Sequence, residues 1–466
     1  MDKQHNINRR DFLKIVGIST LGATASLYGC SPKKDTEKEG NTPVPIGKMT
    51  YRNFPPYKDK VSLLGYGCMR WPTLPAPDGT GNVIDQEEVN RLVDYAIEHG
   101  VNYFDTAPPY VQGLSEEATG IALSRHPRNS YYIATKMSNH HLTRRGLRGR
   151  ELREASIDMY RHSLEVLRTD HIDYYLMHNV GGETGIPFLM ERFFNNRLID
   201  FLIEERNAGR IRNLGFSYHR DVRVFDYLLS LHDRIHWDFV QIQLNYVDWR
   251  HASGMNFNAE YLYGELRKRN IPCTIMEPLR GGRLASLPEY LNSRLKRQRP
   301  EDSVASWVFR FAGSHPGVLT VLSGMTYMEN LQDNLRTFSP LVPCTDGELA
   351  LLESVAAEMA GYDAVPCTAC EYCMPCPYGI NIPAIFTHYN KCVYERNVPS
   401  SSQDDSYRRA RRAFLVSYDR SVPRLRQAAR CIGCGQCSPN CPQAIKIPEQ
   451  LHRIDRFVEQ LKQETL

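Results

Sequence analysis

Short apolar runs alternate with amphipathic stretches along most of this chain. Residues 61–67, 101–104, 131–135, 172–177, 211–216, 239–244, 273–276 and 318–321 read as buried strands bounded by turn residues. Between them, apolar positions recur at helical spacing. Residues 86–99 place Val89, Leu92, Val93, Ala96 and Ile97 on one face, with Asp85 as the expected cap. Ser115 is expected to cap the next helix, which carries Glu116 and Glu117 in its first turn. Helices are also predicted over 150–167, 198–208 and 346–359. Strand and helix alternate, which predicts an α/β fold with a parallel sheet inside and helices outside. Eight repeats in about 290 residues suit a closed (β/α)8 TIM barrel.

Three successive strands each end on a titratable residue: Asp105, Lys136 and His178. Tyr110 follows the first, across a Pro-rich loop. In a barrel of this kind, chemistry sits at that end of the strands. The four residue types suit carbonyl reduction. A Tyr hydroxyl can protonate the new alkoxide, a neighbouring ammonium favours its phenolate, a carboxylate holds the ammonium, and a neutral His orients the substrate oxygen. Taken singly, each is an ordinary loop, strand-end or buried polar residue.

The stretches NYFDTAPPY, GLSEEATGIAL, YYIATK and YYLMH resemble the aldo/keto reductase family, and the resemblance covers roughly residues 50 to 340. It implies Asp105, Tyr110, Lys136 and His178 as the catalytic tetrad, with NADP or NAD as cofactor and a small carbonyl or alcohol as substrate. It also implies cofactor contacts at Ser217, Gln241, Met276, Gly324, Thr326, Asn330, Asp333 and Asn334. Three of the family's usual residues are replaced. Tyr218 stands where an Asn follows the Ser, Met276 where an aromatic often stacks on the nicotinamide, and Thr326 where a basic residue commonly pairs with the 2′-phosphate. Thr cannot replace a charge-assisted phosphate contact, so weaker cofactor binding or a relaxed nucleotide preference is expected. Arg280 and Arg283 either take over the phosphate or form a solvated loop.

The chain is long for one core: 466 residues predict two folded domains and a tail. A net charge of +4 gives no reason to expect nucleic-acid binding. Thirteen cysteines are unevenly spread, with nine after residue 360 and eight of those in two quartets. Cys431, Cys434, Cys437 and Cys441 follow C-x2-C-x2-C-x3-C-P, the bacterial ferredoxin spacing for [4Fe–4S] ligation. Cys367, Cys370, Cys373 and Cys376 repeat it with one residue fewer before the last Cys. Two clusters are expected. Fourth ligands are usually exchanged in such domains, which pairs Cys441 with the first triplet and Cys376 with the second. Structural zinc or disulfides are the alternatives, although zinc more often shows two separated pairs. Cys68, Cys273, Cys344 and Cys392 read as plain cysteines. The basic run Arg408, Arg409, Arg411 and Arg412 is either a solvated helix face or a docking patch for an acidic redox partner protein.

At the other end, residues 8–14 (NRRDFLK) resemble a twin-arginine export signal, followed by an apolar run too short to span a membrane. Residues 27–31, around Cys30, resemble a bacterial lipoprotein cleavage box, with Tyr28 bulky where a small residue is usual. Membrane contact is expected only through a lipid on Cys30. The division expected is a signal over 1–30, a flexible tether over 31–48, a barrel over 49–345 and a small, mainly helical ferredoxin-like iron–sulfur domain over 346–466. Such a chain resembles an exported, periplasmic subgroup of the reductases. It reads as a hydride-exchanging oxidoreductase coupled to two clusters, or as an exported electron-transfer or redox-sensing module whose barrel binds nucleotide with little turnover.

Overall fold

The computed structural model describes residues 44–54, 59–79, 81–182 and 185–466. The export signal and Cys30 lie outside the described residues. Eight parallel strands close into a barrel in chain order: β1 (Leu64–Gly67), β2 (Tyr103–Asp105), β3 (Tyr132–Met137), β4 (Ile172–Val180), β5 (Ile211–Tyr218), β6 (Phe239–Gln243), β7 (Cys273–Met276) and β8 (Val318–Ser323). The barrel closes where Val321, Leu322 and Ser323 of β8 pair with Leu64, Gly65 and Tyr66 of β1. Tyr103, Ala134, Tyr174, Leu176, Phe239 and Leu319 fill its interior, as side chains must in a barrel this narrow.

Every predicted strand of the barrel is present, and the helices fall within a residue or two of their expected bounds. Asp85 caps the helix Gln86–Glu98 through a bond from the Glu88 N–H. The expected cap at Ser115 is corrected. Ser115 is already the first helical residue, and its hydroxyl donates instead to the Cys68 carbonyl at 2.7 Å and meets Thr106 Oγ1 at 2.9 Å. A buried hydroxyl with two such partners near the strand ends is better satisfied than a cap would leave it.

The helix Asp346–Ala360 starts on a capping box formed by Thr345 and Glu348. Its Leu352, Val355, Ala356 and Met359 are part of the barrel's core. After it comes a second, smaller core. Three helices, Ile382–Tyr394, Tyr407–Ser421 and Ile447–Gln463, pack Ile385, Phe386, Phe414, Ile454 and Leu461 together, and the cysteine loops lie beside them. No helix among the described residues is long and apolar enough to cross a membrane.

Candidate active site and cluster-binding region

Three neighbouring strand ends bring the predicted tetrad together. Lys136 Nζ donates to Asp105 Oδ1 at 2.6 Å and to the Thr106 carbonyl at 2.7 Å. The same ammonium lies 4.7 Å from the centre of the Tyr110 ring. Tyr110 meets the His178 ring edge-on, with centroids 6.2 Å apart. Gln241 Nε2 donates to the second Asp105 oxygen at 3.2 Å, so that carboxylate is bonded at both ends.

The aim of His178 comes from an irregularity in β4. The pairing of β4 with β5 shifts register between Met177 and Val180, and Asn179 adopts a left-handed φ of 53°. Bulges of this kind re-aim a side chain beside an active site. The Asn179 N–H donates to Ser217 Oγ at 3.0 Å. Buried Arg192 reaches the carbonyls of His178 and Asn179 at 2.6 and 3.0 Å. Ser138 Oγ sits 2.6 Å from His178 Nδ1. Burial, then the charge of Lys136, holds the imidazole pKa well below its ordinary value, so the ring is neutral. Ser138 donating to Nδ1 would leave the neutral ring's proton on Nε2.

Tyr110 departs from the expectation of a lowered phenol. Burial, followed by the charges of Asp105 and Glu277, pushes its pKa well above the ordinary value. The residue types alone weigh the neighbouring ammonium but not the burial, which is the largest cause. Burial likewise raises the Asp105 carboxyl, against the opposing pull of Lys136.

Asp105, Tyr110 and His178 line one cavity of about 280 Å³. Gln241, Met276 and Gly324 of the expected cofactor set line it too. The others are placed elsewhere. Ser217 supports the bulge. Thr326 Oγ1 donates to the Arg70 carbonyl at 2.9 Å, and Asn330 is exposed on its helix. Asp333 accepts from Ser303 at 2.6 Å, and Asn334 donates to Ser323 at 2.9 Å. Arg280 lies 3.6 Å from Asp248 and donates to Ser253. Arg283 donates to the Val365 carbonyl and to the Tyr394 hydroxyl. Gln241, Met276 and Gly324 are thus placed to meet a nicotinamide, whereas the side chains of Thr326, Asp333 and Asn334 are spent on bonds within the fold and Asn330 is left exposed.

The cavity's roof belongs to the C-terminal region. Cys370, Tyr372, Pro442 and Gln443 line it opposite the tetrad. The loop carrying Cys370 is turned by left-handed residues at Ala369 (φ 49°) and Glu371 (φ 64°). Arg70 donates to the carbonyls of Thr368 and Ala369 at 3.2 and 3.3 Å. Gly281, with φ of 69°, lets the loop in: a Cβ there would meet the Thr368 oxygen at 1.9 Å. On the other side, Asn256 donates to Gln443 Oε1 at 2.6 Å, and Arg220 to the Pro442 carbonyl at 3.1 Å. Tyr372, Gln443, Arg70 and His219 were missed by sequence reasoning. Only Tyr372 carried any signal, as the aromatic inside the first cysteine motif.

Cys367, Cys370, Cys373 and Cys441 surround one apolar recess with Phe386 and Ile447. Burial, with the neighbouring thiols adding, pushes Cys370 up to about 12, and burial pushes Cys367 up to about 11. Cys441 of the second motif therefore lies beside three cysteines of the first, the neighbours an exchanged fourth ligand would have. Cys376, Cys431 and Cys437 pack against the same small core. Among the described residues no three His, Cys, Asp or Glu side chains converge on a single ion. A quartet of thiols spread around a recess is the donor set of a cubane.

Residues 63–357 match the aldo/keto reductase family, and residues 366–446 match a 4Fe-4S dicluster domain. Protein tas of Escherichia coli (strain K12) is 26% identical over 356 residues, covering 67% of this chain and 96% of that protein. The uncharacterized oxidoreductase YqkF of Bacillus subtilis is 25% identical, covering 63% and 92%. Among solved structures, a thermostable aldo-keto reductase in complex with the inhibitor epalrestat superposes with a TM-score of 0.52. It is 23% identical and covers 66% of this chain and 100% of that one; the likeness is one of fold.

Proposed function

This chain belongs to the aldo/keto reductase family and carries a C-terminal 4Fe-4S dicluster domain, and on that premise we propose that it interconverts a small carbonyl and its alcohol while its clusters exchange single electrons with a redox partner. One observation carries the reading: Asp105, Tyr110 and His178 line the same cavity as the cluster-bearing loop, through Cys370 and Tyr372. When bound, the nicotinamide supplies a hydride and the clusters supply or accept single electrons.

The chain's own residues do the rest. His178, neutral and protonated on Nε2, donates to the substrate oxygen and fixes its direction. Tyr110 gives its hydroxyl proton to the oxygen as charge builds there. Lys136, held by Asp105 and Thr106, stabilises the phenolate left behind. The roof excludes water, which strengthens each of these interactions. A cavity of about 280 Å³ suits a small substrate, at the low end of ligand pockets.

A second reading is favoured by the commitment of Asp333, Asn334 and Arg283 to the fold. In it, nicotinamide binds weakly and the clusters take electrons from another donor. The experiment uses anaerobic protein with its iron and sulfide measured. Carbonyl turnover with NADPH, lost in Tyr110→Phe, together with cluster bleaching by NADPH, supports the first reading. Turnover unchanged in Tyr110→Phe sinks it; bleaching by a small donor without NADPH turnover supports the second. Export through the residue 8–14 signal, with tethering at Cys30, belongs to the same proposal. The twin-arginine route carries folded proteins, which suits a chain with preassembled clusters.

A further inference from the structure

The two cysteine sets face different ways. Cys370 lines the catalytic cavity, whereas Cys434 is exposed. The chain around Cys434 is unusual in composition. From Arg420 to Pro448 there is no Asp or Glu, while Arg420, Arg424, Arg426, Arg430 and Lys446 all fall there. The four arginines are exposed. None of their side chains makes a hydrogen bond or ion pair to a described residue, although most other arginines of the molecule do.

Within the same turns, Leu425 is 73% exposed and Ile432 63% exposed. Leu425 is the most exposed large hydrophobic residue described. Two short 3-10 turns, Arg424–Arg426 and Ala428–Arg430, hold this segment, and the Cys431 N–H closes on the Ala428 carbonyl at 2.9 Å. The apolar pair and the guanidinium groups are therefore kept beside the triplet by a few residues of ordered backbone. Arg408 and Arg412, at helical i, i+4 spacing with Arg420 further along, extend the cationic face up the helix Tyr407–Ser421. Arg411 does not belong to it, since it turns inward to the Leu461 carbonyl and Glu464. A solvated basic face needs no exposed Leu and Ile. A cationic rim around an apolar spot is the composition of a docking surface.

We propose that residues 420–436 form the face where electrons enter the protein, and that it binds an acidic one-electron carrier protein over Cys434. The carrier's carboxylates meet the arginines, and its apolar spot meets Leu425 and Ile432. This inference rests on the reading of the clusters as electron carriers. At each encounter the carrier is oxidised and the protein reduced by one electron, with no bond made or broken. Two encounters load the two clusters with one electron each. Entry at Cys434, with Cys370 at the cavity wall, places the two sets in series between solvent and the cavity.

The test is anaerobic rapid mixing of the oxidised holoprotein with a reduced plant-type [2Fe–2S] ferredoxin as the acidic probe, at low and high salt. In R424E/R426E/R430E the bleaching rate with the ferredoxin is expected to fall at least about ten-fold, the scale of electrostatic steering. The wild-type rate should also fall as salt rises. Iron content and the rate with dithionite should not change. If the triple reversal loses iron, L425S/I432S carries the test, with a slowing of roughly three-fold expected under the same steering argument. Equal ferredoxin rates in wild type and variants, without a salt effect, overturn the proposal. So does sedimentation of the wild type, but not the triple variant, with phosphatidylglycerol vesicles while ferredoxin rates stay equal; the face would then be a membrane surface. Clusters that dithionite itself cannot bleach would overturn the electron-carrier reading beneath it.

Discussion

The floor and the roof of the catalytic cavity are built by different physics. The floor is set by strand register. Asp105, Lys136 and His178 stand on adjacent strands, and each is locked by buried hydrogen bonds within the barrel. The roof is a loop turned by left-handed residues. It is held by guanidinium groups that reach out from the barrel to its carbonyls, and by a cysteine quartet meant for a metal cluster. The barrel has a large apolar core to pay for its geometry. The C-terminal region has a much smaller one, with its cysteines packed at the edge. The floor should therefore survive the loss of iron, and the roof should not.

Iron removal gives the sharpest break. Cluster binding free energy is folding free energy for the loops that supply the ligands. Anaerobic chelation, or Cys370→Ser with Cys373→Ser, is expected to abolish the cooperative unfolding of the C-terminal region. The barrel transition should move by only a few degrees. Two transitions in calorimetry of the iron-free protein, one of them broad and early, would show it. A single shared transition lost as a whole would mean that floor and roof fold as one.

Next in size is a change confined to the floor. Lys136→Met leaves Asp105 buried and unpaired, at a cost of roughly 3–5 kcal/mol. Carbonyl turnover should fall by about 10²–10⁴, the range for a lost proton-transfer partner. Iron content should be unchanged. A variant that lost iron along with turnover would show that the roof depends on the floor's charge pair.

The legible and illegible parts of the sequence follow the same division. Strand ends announced themselves together, because three successive apolar runs ending on Asp105, Lys136 and His178 say more in chain order than any one of them alone. The two cysteine quartets were equally plain from spacing, and both fall within the 4Fe-4S dicluster match over residues 366–446. Ser115 was misjudged because cap preference is local, whereas its hydroxyl is claimed by Cys68 across 47 residues of sequence. The roof was invisible for a similar reason. Arg70, Arg283 and Gly281 look like loop residues until the chain some 80 to 300 residues onward comes to rest on them. The adenine-end residues Asp333 and Asn334 matched a motif, yet side-chain bonds to Ser303 and Ser323 occupy them.

The seam between the two regions is the helix Asp346–Ala360, and one carboxylate secures it. Burial alone would raise the Glu348 carboxyl, but bonds from Arg310 at 2.7 Å and Arg299 at 2.5 Å outweigh it and hold the pKa down at about 2. A depressed carboxylate stabilises the fold above its unfolded pKa, and the contribution fades as pH falls towards the folded value. Glu348→Gln should therefore lower the barrel transition of the iron-free protein by on the order of 3 kcal/mol at neutral pH. The gap to wild type should shrink between about pH 4.5 and pH 2. A gap independent of pH would assign the effect to packing.

The smallest effect tests the roof alone. Arg70 contributes two long bonds, to the Thr368 and Ala369 carbonyls, and its side chain also lines the cavity beside Gly324. Removing it in Arg70→Ala should cost about 1 kcal/mol, since hydrogen bonds to a charged donor at a partly exposed site contribute little more. That is too little to unfold either region, so the consequence should be local. The loop carrying Cys370 and Tyr372 gains freedom, while Asp105, Lys136 and Tyr110 keep every bond they make with one another. Bleaching of the cavity-facing set by dithionite should quicken by a factor of about 2 to 5, as that cost raises the population of the loosened loop. Calorimetry of the barrel should be unchanged. If Arg70→Ala instead shifted the barrel transition and left bleaching alone, the guanidinium would be a brace for the floor, and the division between the two walls of the cavity would have to be redrawn through Arg70.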